Sequence, residues 1–198
     1  MGAPARNEGM PLVVAIDGPA GAGKSSVARR VAQALGFRFL DTGAMYRAAT
    51  WRALAHHVNL DEPEAVALAA RDMQLELHES AAGLRVLVDG TDVTEAIRSP
   101  EVTRQIYILD QNPAVRAHLV ELQRAFAAQG PTGAEGSDMG TIVFPESLCK
   151  ILLDASLDER TRRRACELEA NGHSADFKSL RREIHERDEK TRNRTVAP

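Results

Sequence analysis

Residues 12–26 read Leu12-Val13-Val14-Ala15-Ile16-Asp17-Gly18-Pro19-Ala20-Gly21-Ala22-Gly23-Lys24-Ser25-Ser26, and Val27-Ala28-Arg29-Arg30-Val31-Ala32-Gln33-Ala34-Leu35-Gly36 follows. The opening run is short, apolar and rich in β-branched residues, which is the composition of a buried strand. The closing run carries a helical pattern and stops at glycine. Between them, Gly18 to Ser25 fits G-x-x-x-x-G-K-[ST]. Strand, glycine loop and helix in that order point to a phosphate-binding loop rather than a glycine-rich turn with a chance Lys-Ser.

The chemistry of that loop follows from its residues. Gly18, Gly21 and Gly23 let the backbone curl so that successive N–H groups face inward. With Pro19, Ala20, Ala22 and the helix start at Ser25 and Ser26, they make a cradle for anionic phosphate. Lys24 is expected along the β- and γ-phosphates of a nucleoside triphosphate. Ser25 offers its hydroxyl to Mg2+, an ion that takes oxygen ligands and keeps several waters.

Composition bounds the rest. A chain of 198 residues can bury a full core, and one α/β domain with insertions is expected. A net charge of −3 argues against a dedicated binder of long nucleic acid, which carries a basic excess. No apolar run approaches a membrane span. Residues 1–11 are expected to be a disordered tail, and the polar start has no signal-peptide core. Cys149 and Cys166 form no C-x-x-C pair, which suits a reducing cytoplasm. His56 and His57 are adjacent, not i,i+4, so a histidine metal site is not expected.

Strand and helix patterns alternate along the chain. A second strand is expected over 38–41, and helices over 43–54 and 64–71. Residues 75–79 and 84–90 alternate at period two about a turn near Ala82-Gly83, the signal of an antiparallel hairpin. A short helical turn is expected over 92–97. Ser99-Pro100 and Asn112-Pro113 each start a helix, the second running to about residue 129. Residues 130–141 hold four glycines, with Glu135 and Asp138 among them. A buried strand is expected over 150–154, then helices over 156–169 and 176–189. Such interleaving makes a parallel sheet flanked by helices the expected core.

Beyond the loop, several strings resemble the bacterial cytidylate (CMP) kinase family, nucleoside monophosphate kinases of the P-loop superfamily. They are Ile16-Asp17-Gly18-Pro19-Ala20, Leu40-Asp41-Thr42-Gly43-Ala44-Met45-Tyr46-Arg47, Asp89-Gly90-Thr91-Asp92-Val93-Thr94 with Ile97-Arg98, Pro113-Ala114-Val115-Arg116, Gln123-Arg124, Gly136-Ser137-Asp138-Met139-Gly140-Thr141 with Val143-Phe144-Pro145, Arg187-Asp188, and Arg192-Asn193-Arg194. The resemblance spans 12–198. It implies transfer of the γ-phosphoryl group of ATP to CMP or dCMP with Mg2+, in a cytoplasmic, monomeric enzyme. It also implies a core over 12–60 and 100–156, an antiparallel insert for the monophosphate over 61–99, and a helical lid over 157–190.

The resemblance assigns roles residue by residue. Lys24 and Ser25 serve the donor phosphates. Thr42, Tyr46, Arg47, Arg116 and Asp138 serve CMP, with Arg47 on its phosphate and Arg116 and Asp138 on the cytosine. Arg187 and Arg194 lie at the reacting centre. Arg160, Arg163 and Arg164 lie on the lid helix, where Arg160 and Arg164 share an i,i+4 face and are expected to bring charge to the phosphoryl group. Arginine suits this work because its forked donors stay charged. A monoester phosphate is largely a dianion at neutral pH, so no strong general base is required.

The chain also departs from the family pattern. Ser137 stands where the family has arginine, and Thr191 where it usually has aspartate; both imply reduced turnover. Tyr107 replaces a serine that touches the base in some members. Gly133 falls in a core strand, where glycine weakens strand formation. Family members continue with a final strand and helix, so an uncovered apolar sheet edge is expected here. Two alternatives stay open: a nucleotide-binding protein of weak catalysis, and another small-molecule P-loop kinase.

Overall fold

The computed structural model describes residues 11–80, 83–170, 172 and 174–193. Four strands, β1 (Val13–Asp17), β2 (Arg38–Asp41), β6 (Thr132–Gly136) and β7 (Cys149–Leu152), form a sheet of order β2-β6-β1-β7 in which every pairing is parallel. A second sheet, antiparallel, holds β3 (Leu75–Ser80), β4 (Gly83–Val88) and β5 (Thr91–Asp92). The helices are α1 (Lys24–Leu35), α2 (Thr42–Ala55), α3 (Pro63–Arg71), α4 (Pro100–Gln111), α5 (Pro113–Ala127), α6 (Leu157–Ala170) and α7 (Phe177–Arg192). This is the α/β architecture expected, with a parallel sheet, flanking helices and an antiparallel insert.

The starts of the helices follow their caps. Asp41 accepts from the Ala44 N–H at 2.8 Å, and Asn112 accepts from Ala114 and Val115 ahead of α5. Each such side chain satisfies an amide that the first helical turn leaves orphaned.

β6 is one of the two inner strands, although Thr132-Gly133-Ala134-Glu135-Gly136 is poor strand sequence; all five residues are buried. A Cβ at Gly133 would come 3.3 Å from Ala32 Cβ and 3.4 Å from the Ala28 carbonyl oxygen. The glycine therefore lets α1 lie close against the sheet, and burial on both faces outweighs weak strand propensity.

α2 is buried over most of its surface, with Arg47 and Arg52 half-buried. Ala44, Ala48 and Ala49 pack into a core with Val86, Val88, Ile106 and Leu119, while Met45 packs into another with Val13, Leu40 and Ala134. A helix buried this way is a shared wall, here between the sheet and the insert.

Two expectations are corrected. Residues 92–97 do not form one helical turn: Thr91–Asp92 is strand β5, and a 3₁₀ turn covers Ala96–Arg98. The 150–154 run is not a buried strand. β7 lies outermost among the described strands, pairs with β1 on one side, and leaves Leu152 76 % exposed. An apolar run cannot tell a central strand from an edge one, because pairing partners lie elsewhere in the chain. The hairpin turn at 81–82 and the tail at 1–10 lie outside the described residues, and Pro11 is a loop residue.

Candidate active site

β1 delivers the phosphate loop. Gly18 sits at φ 149°, and a Cβ there would stand 1.9 Å from the Leu153 carbonyl oxygen. The left-handed backbone and the close approach each exclude other residues. Gly21 and Gly23 also have positive φ, and α1 begins at Lys24. Lys24 Nζ donates to the Pro19 carbonyl at 3.0 Å and lies 4.0 Å from Glu135. Ser25 Oγ donates to Glu135 Oε1 at 2.6 Å, and Ser26 is exposed in the first helical turn.

Glu135 reaches this loop through sheet register. It lies opposite Ile16 on β1 and opposite Asp41 on β2, at the carboxyl ends of the strands. Ligands of open parallel sheets bind outside those ends. Burial and the neighbouring Asp41 carboxylate push the Glu135 carboxyl up to about 7, against Lys24 and Ser25, which favour the ionised form. Burial also lowers the Lys24 pKa, Glu135 opposes, and Arg187 lowers it further.

The residues expected to serve CMP come from α2, α5 and the turn after β6, with partners on α4. Thr42 Oγ1 donates to the Glu135 carbonyl at 2.7 Å, tying the start of α2 to β6. Arg47 donates to Thr103 Oγ1 at 2.8 Å and to the Ile97 carbonyl at 3.2 Å. Burial first, then Arg187, pulls its pKa down to about 10. Arg116, 3 % exposed, pairs with Asp138 and donates to Asp110 at 2.8 Å. Its guanidinium also lies 5.5 Å from the centre of the Tyr46 ring. The turn bearing Asp138 is fixed by Asp17, which accepts from the amides of Met139 at 2.6 Å and Gly140 at 2.8 Å. Ser137 is exposed beside it. Lys190 stands 4.6 Å over the Tyr107 ring, joining α7 to α4.

On α6 and α7, where a lid was expected, the arginines do not share the expected face. Arg160 turns inward to a buried pair with Asp188. Arg164 pairs with Glu167 on its own helix at 2.8 Å. Arg163 donates to the Ala22 carbonyl of the phosphate loop at 3.0 Å. The i,i+4 spacing of Arg160 and Arg164 was therefore no guide to their direction, because Asp188 supplies a buried partner for one of them 28 residues away. Arg187 keeps solvent-exposed surface, but enough protein surrounds it to lower its pKa; Asp110 and Asp188 oppose that, and Arg164 adds to it. Arg194 lies outside the described residues.

Sequence reasoning missed Asp17, Thr103, Asp110 and Asp188, and named Glu135 without a role. Acids at the carboxyl ends of strands next to a phosphate loop were the available signal for Asp17 and Glu135. Thr103 and Asp110 sit seven residues apart on one stripe of α4, legible only once that helix is known to face the site.

The comparisons with known proteins agree with this geometry. The family model described as "Cytidylate kinase" matches residues 14–198. A cytidylate kinase of Desulfitobacterium hafniense (strain Y51) is 48% identical over 187 residues, covering 94% of this chain and 80% of that protein. One from Pelotomaculum thermopropionicum is 47% identical, covering 93% of this chain and 82% of the relative. A bifunctional pantoate ligase/cytidylate kinase of Synechococcus elongatus is 47% identical over 96% of this chain, which spans 37% of that longer protein. Matched by the family model from the first strand to its last residue, the chain belongs to the cytidylate kinase family.

Proposed function

We propose that the protein transfers the γ-phosphoryl group of ATP to CMP or dCMP, giving the nucleoside diphosphate and ADP, as a monomer in a reducing cytoplasm. One observation carries the reading: Glu135 accepts from Ser25 of the phosphate loop at 2.6 Å through its carboxylate and from Thr42 at 2.7 Å through its carbonyl, so the loop and the start of α2 meet at one residue. Burial first, and then Arg187, lowers the pKa of Lys24 on that loop and of Arg47 on α2. Lys24, Arg47 and Arg187, partly balanced by Glu135, Asp41, Asp110 and Asp188, suit polyanionic ligands on both sides.

The residues act by positioning and charge neutralisation, which is most of what phosphoryl transfer requires. The cradle of residues 18–25 holds the donor phosphates, with Lys24 as a point charge. Arg47 binds the acceptor phosphate and aims its oxygen at the γ-phosphorus. The Arg116–Asp138 pair reads the cytosine edge, with Thr42 and Tyr46 fixing the wall around it. Arg187, together with Arg194, meets the transferring group. The acceptor phosphate attacks as its dianion, so none of these residues has to remove a proton.

The oxygen donors present suit Mg2+. Ser25 presents a hydroxyl beside the Glu135 carboxylate, and no group of three or more His, Cys, Asp or Glu among the described residues forms a cage for a metal. A hard cation that arrives with the nucleotide and keeps its waters fits such a site. Ser25 and Glu135 would hold it, and it would neutralise charge on the donor phosphates.

A coupled assay with ATP, Mg2+ and a panel of nucleoside monophosphates tests the reading. CMP and dCMP are expected to be the best acceptors. Turnover of AMP or another small acceptor but not of CMP overturns the assignment. Ser137, exposed and uncharged beside Asp138, favours one second reading, a binder of weak catalysis. Tight calorimetric binding of ATP and CMP with no product would establish it.

A further inference from the structure

Helices α6 and α7 are held to the rest of the protein in an unusual way. The buried residues of α6 are Arg160 and Thr161, and those of α7 are Leu180 and Asp188. Leu180 is the one large apolar side chain in that set, with Leu157, Leu168 and Ile184 half-buried. The most buried tie is a charge. Arg160 Nη1 and Nη2 donate to the two oxygens of Asp188, at 3.1 and 2.6 Å. Arg160 Nη1 also donates to the Ala20 carbonyl of the phosphate loop at 3.1 Å, and Nε to the Ala155 carbonyl at 3.0 Å. Four of the five donors of this guanidinium are thereby used. One helical turn on, Arg163 reaches the Ala22 carbonyl of the same loop.

A buried ion pair is a poor device for stability alone. Desolvation of both charges offsets much of their attraction, and apolar side chains of similar volume serve as well or better. A bidentate guanidinium–carboxylate pair does fix orientation, because both partners are planar and forked. Here it fixes α7 at the residue next to Arg187. We propose that Asp188 is a positioning residue for the transfer reaction: through Arg160 it clamps α6 and α7 to the phosphate loop and holds the adjacent Arg187 in place.

Arg160 is then not a phosphate ligand but the bolt of this clamp. The inference rests on the kinase reading for its chemistry and on the geometry for the clamp itself. Losing the carboxylate weakens the bond that ties α7 to Arg160. Misplacing a positioned group by about 1 Å can cost on the order of 10²-fold in rate.

The test is a kinetic cycle. Asp188→Asn is expected to lower kcat about 10- to 100-fold while KM for ATP and CMP changes less than about 3-fold. In an Arg187→Ala background the same change is expected to cost nothing further, because there is no Arg187 left to position. Losses that multiply in the double variant, or an Asp188→Asn kcat within about 2-fold of the parent, overturn the proposal. A merely structural pair would lower the thermal midpoint and leave the kcat of the folded fraction unchanged.

If Asp188→Asn does not fold, Arg160→Lys takes its place in the same cycle. It keeps a cation but cannot span Asp188 and both carbonyls, and a parental kcat overturns the proposal equally. A parent protein that phosphorylates no monophosphate removes the kinase reading and not the clamp. The clamp is then judged by hydrogen exchange: amides of residues 20–24 and of α6 must exchange at least about 10-fold faster in the variant, with β3 and β4 unchanged. Equal exchange overturns it.

Discussion

β1 and β6 lie side by side, and each runs into a glycine-containing turn at the same edge of the sheet, yet their glycines do opposite work. After β1, Gly18, Gly21 and Gly23 have φ of 149°, 79° and 98°, conformations that other residues rarely adopt. In and after β6, Gly133, Gly136 and Gly140 have no positive φ, but a Cβ on each would crowd a neighbour. At Gly136 it would come 2.6 Å from Met139 Cε and Thr42 Oγ1, and at Gly140 3.0 Å from Asp17. One set of glycines shapes a chain that wraps a ligand. The other lets α1, α2 and the Asp138 turn close on the strand. On the proposed reading, donor binding depends on backbone shape, and acceptor recognition on how tightly side chains gather.

The largest expected effect breaks the donor side. Lys24→Ala should lower transfer at least about 10³-fold, the scale on which one preorganised charge acts. The coupled assay on folded protein reads it, and retained activity would place the donor elsewhere. Gly18→Ala comes next. A contact of 1.9 Å with backbone at a left-handed position should cost more than about 3 kcal/mol in urea unfolding. Gly133→Ala, with ordinary φ and a 3.3 Å contact to a methyl group, should cost about 1–3 kcal/mol. Equal losses at the two glycines would erase the distinction between shape and closeness.

Glu135 sharpens the comparison through pH. Its carboxyl is raised from 4.5 to about 7 in the fold. The folded state therefore holds a proton that the unfolded state has released across that window. That contribution to stability is fully present below pH 4.5 and is lost as pH rises through 7. Glu135→Gln should flatten the stability profile of nucleotide-free protein over this range, and an unaltered slope would place the titration elsewhere. The smallest effect is a gain. Ser137→Arg should raise kcat up to about 10-fold, within what an added transition-state cation contributes, with little change in ATP affinity. An unchanged or lower kcat would mean that the turn already has its charge balanced.

What the sequence made legible tracks how local each cause is. The phosphate loop is legible because strand, turn and helix start are consecutive and each carries its own signal. The caps at Asp41, Ser99 and Asn112 are local in the same sense. β6 is harder to see: glycine and glutamate disfavour strands, and only its place between β1 and β2 makes it one. β7 misleads in the other direction, since Ile151 and Leu152 suggest a buried strand and the sheet ends there among the described residues. The inward turn of Arg160 could not be read at all, because its partner lies a helix away. Arg116 and Asp138 were marked by resemblance; the contact of Arg116 with Asp110 was not.

The alanine wall of α2 bears on how this protein can change over generations. Ala44, Ala48, Ala49 and Ala53 are all buried and already carry the smallest side chain that favours a helix. Exchange for glycine would cost roughly 1 kcal/mol of helix propensity at each position. Drift on these faces is therefore nearly one-way: substitutions can add volume but scarcely remove it. The wall between sheet and insert can be thickened far more easily than it can be thinned.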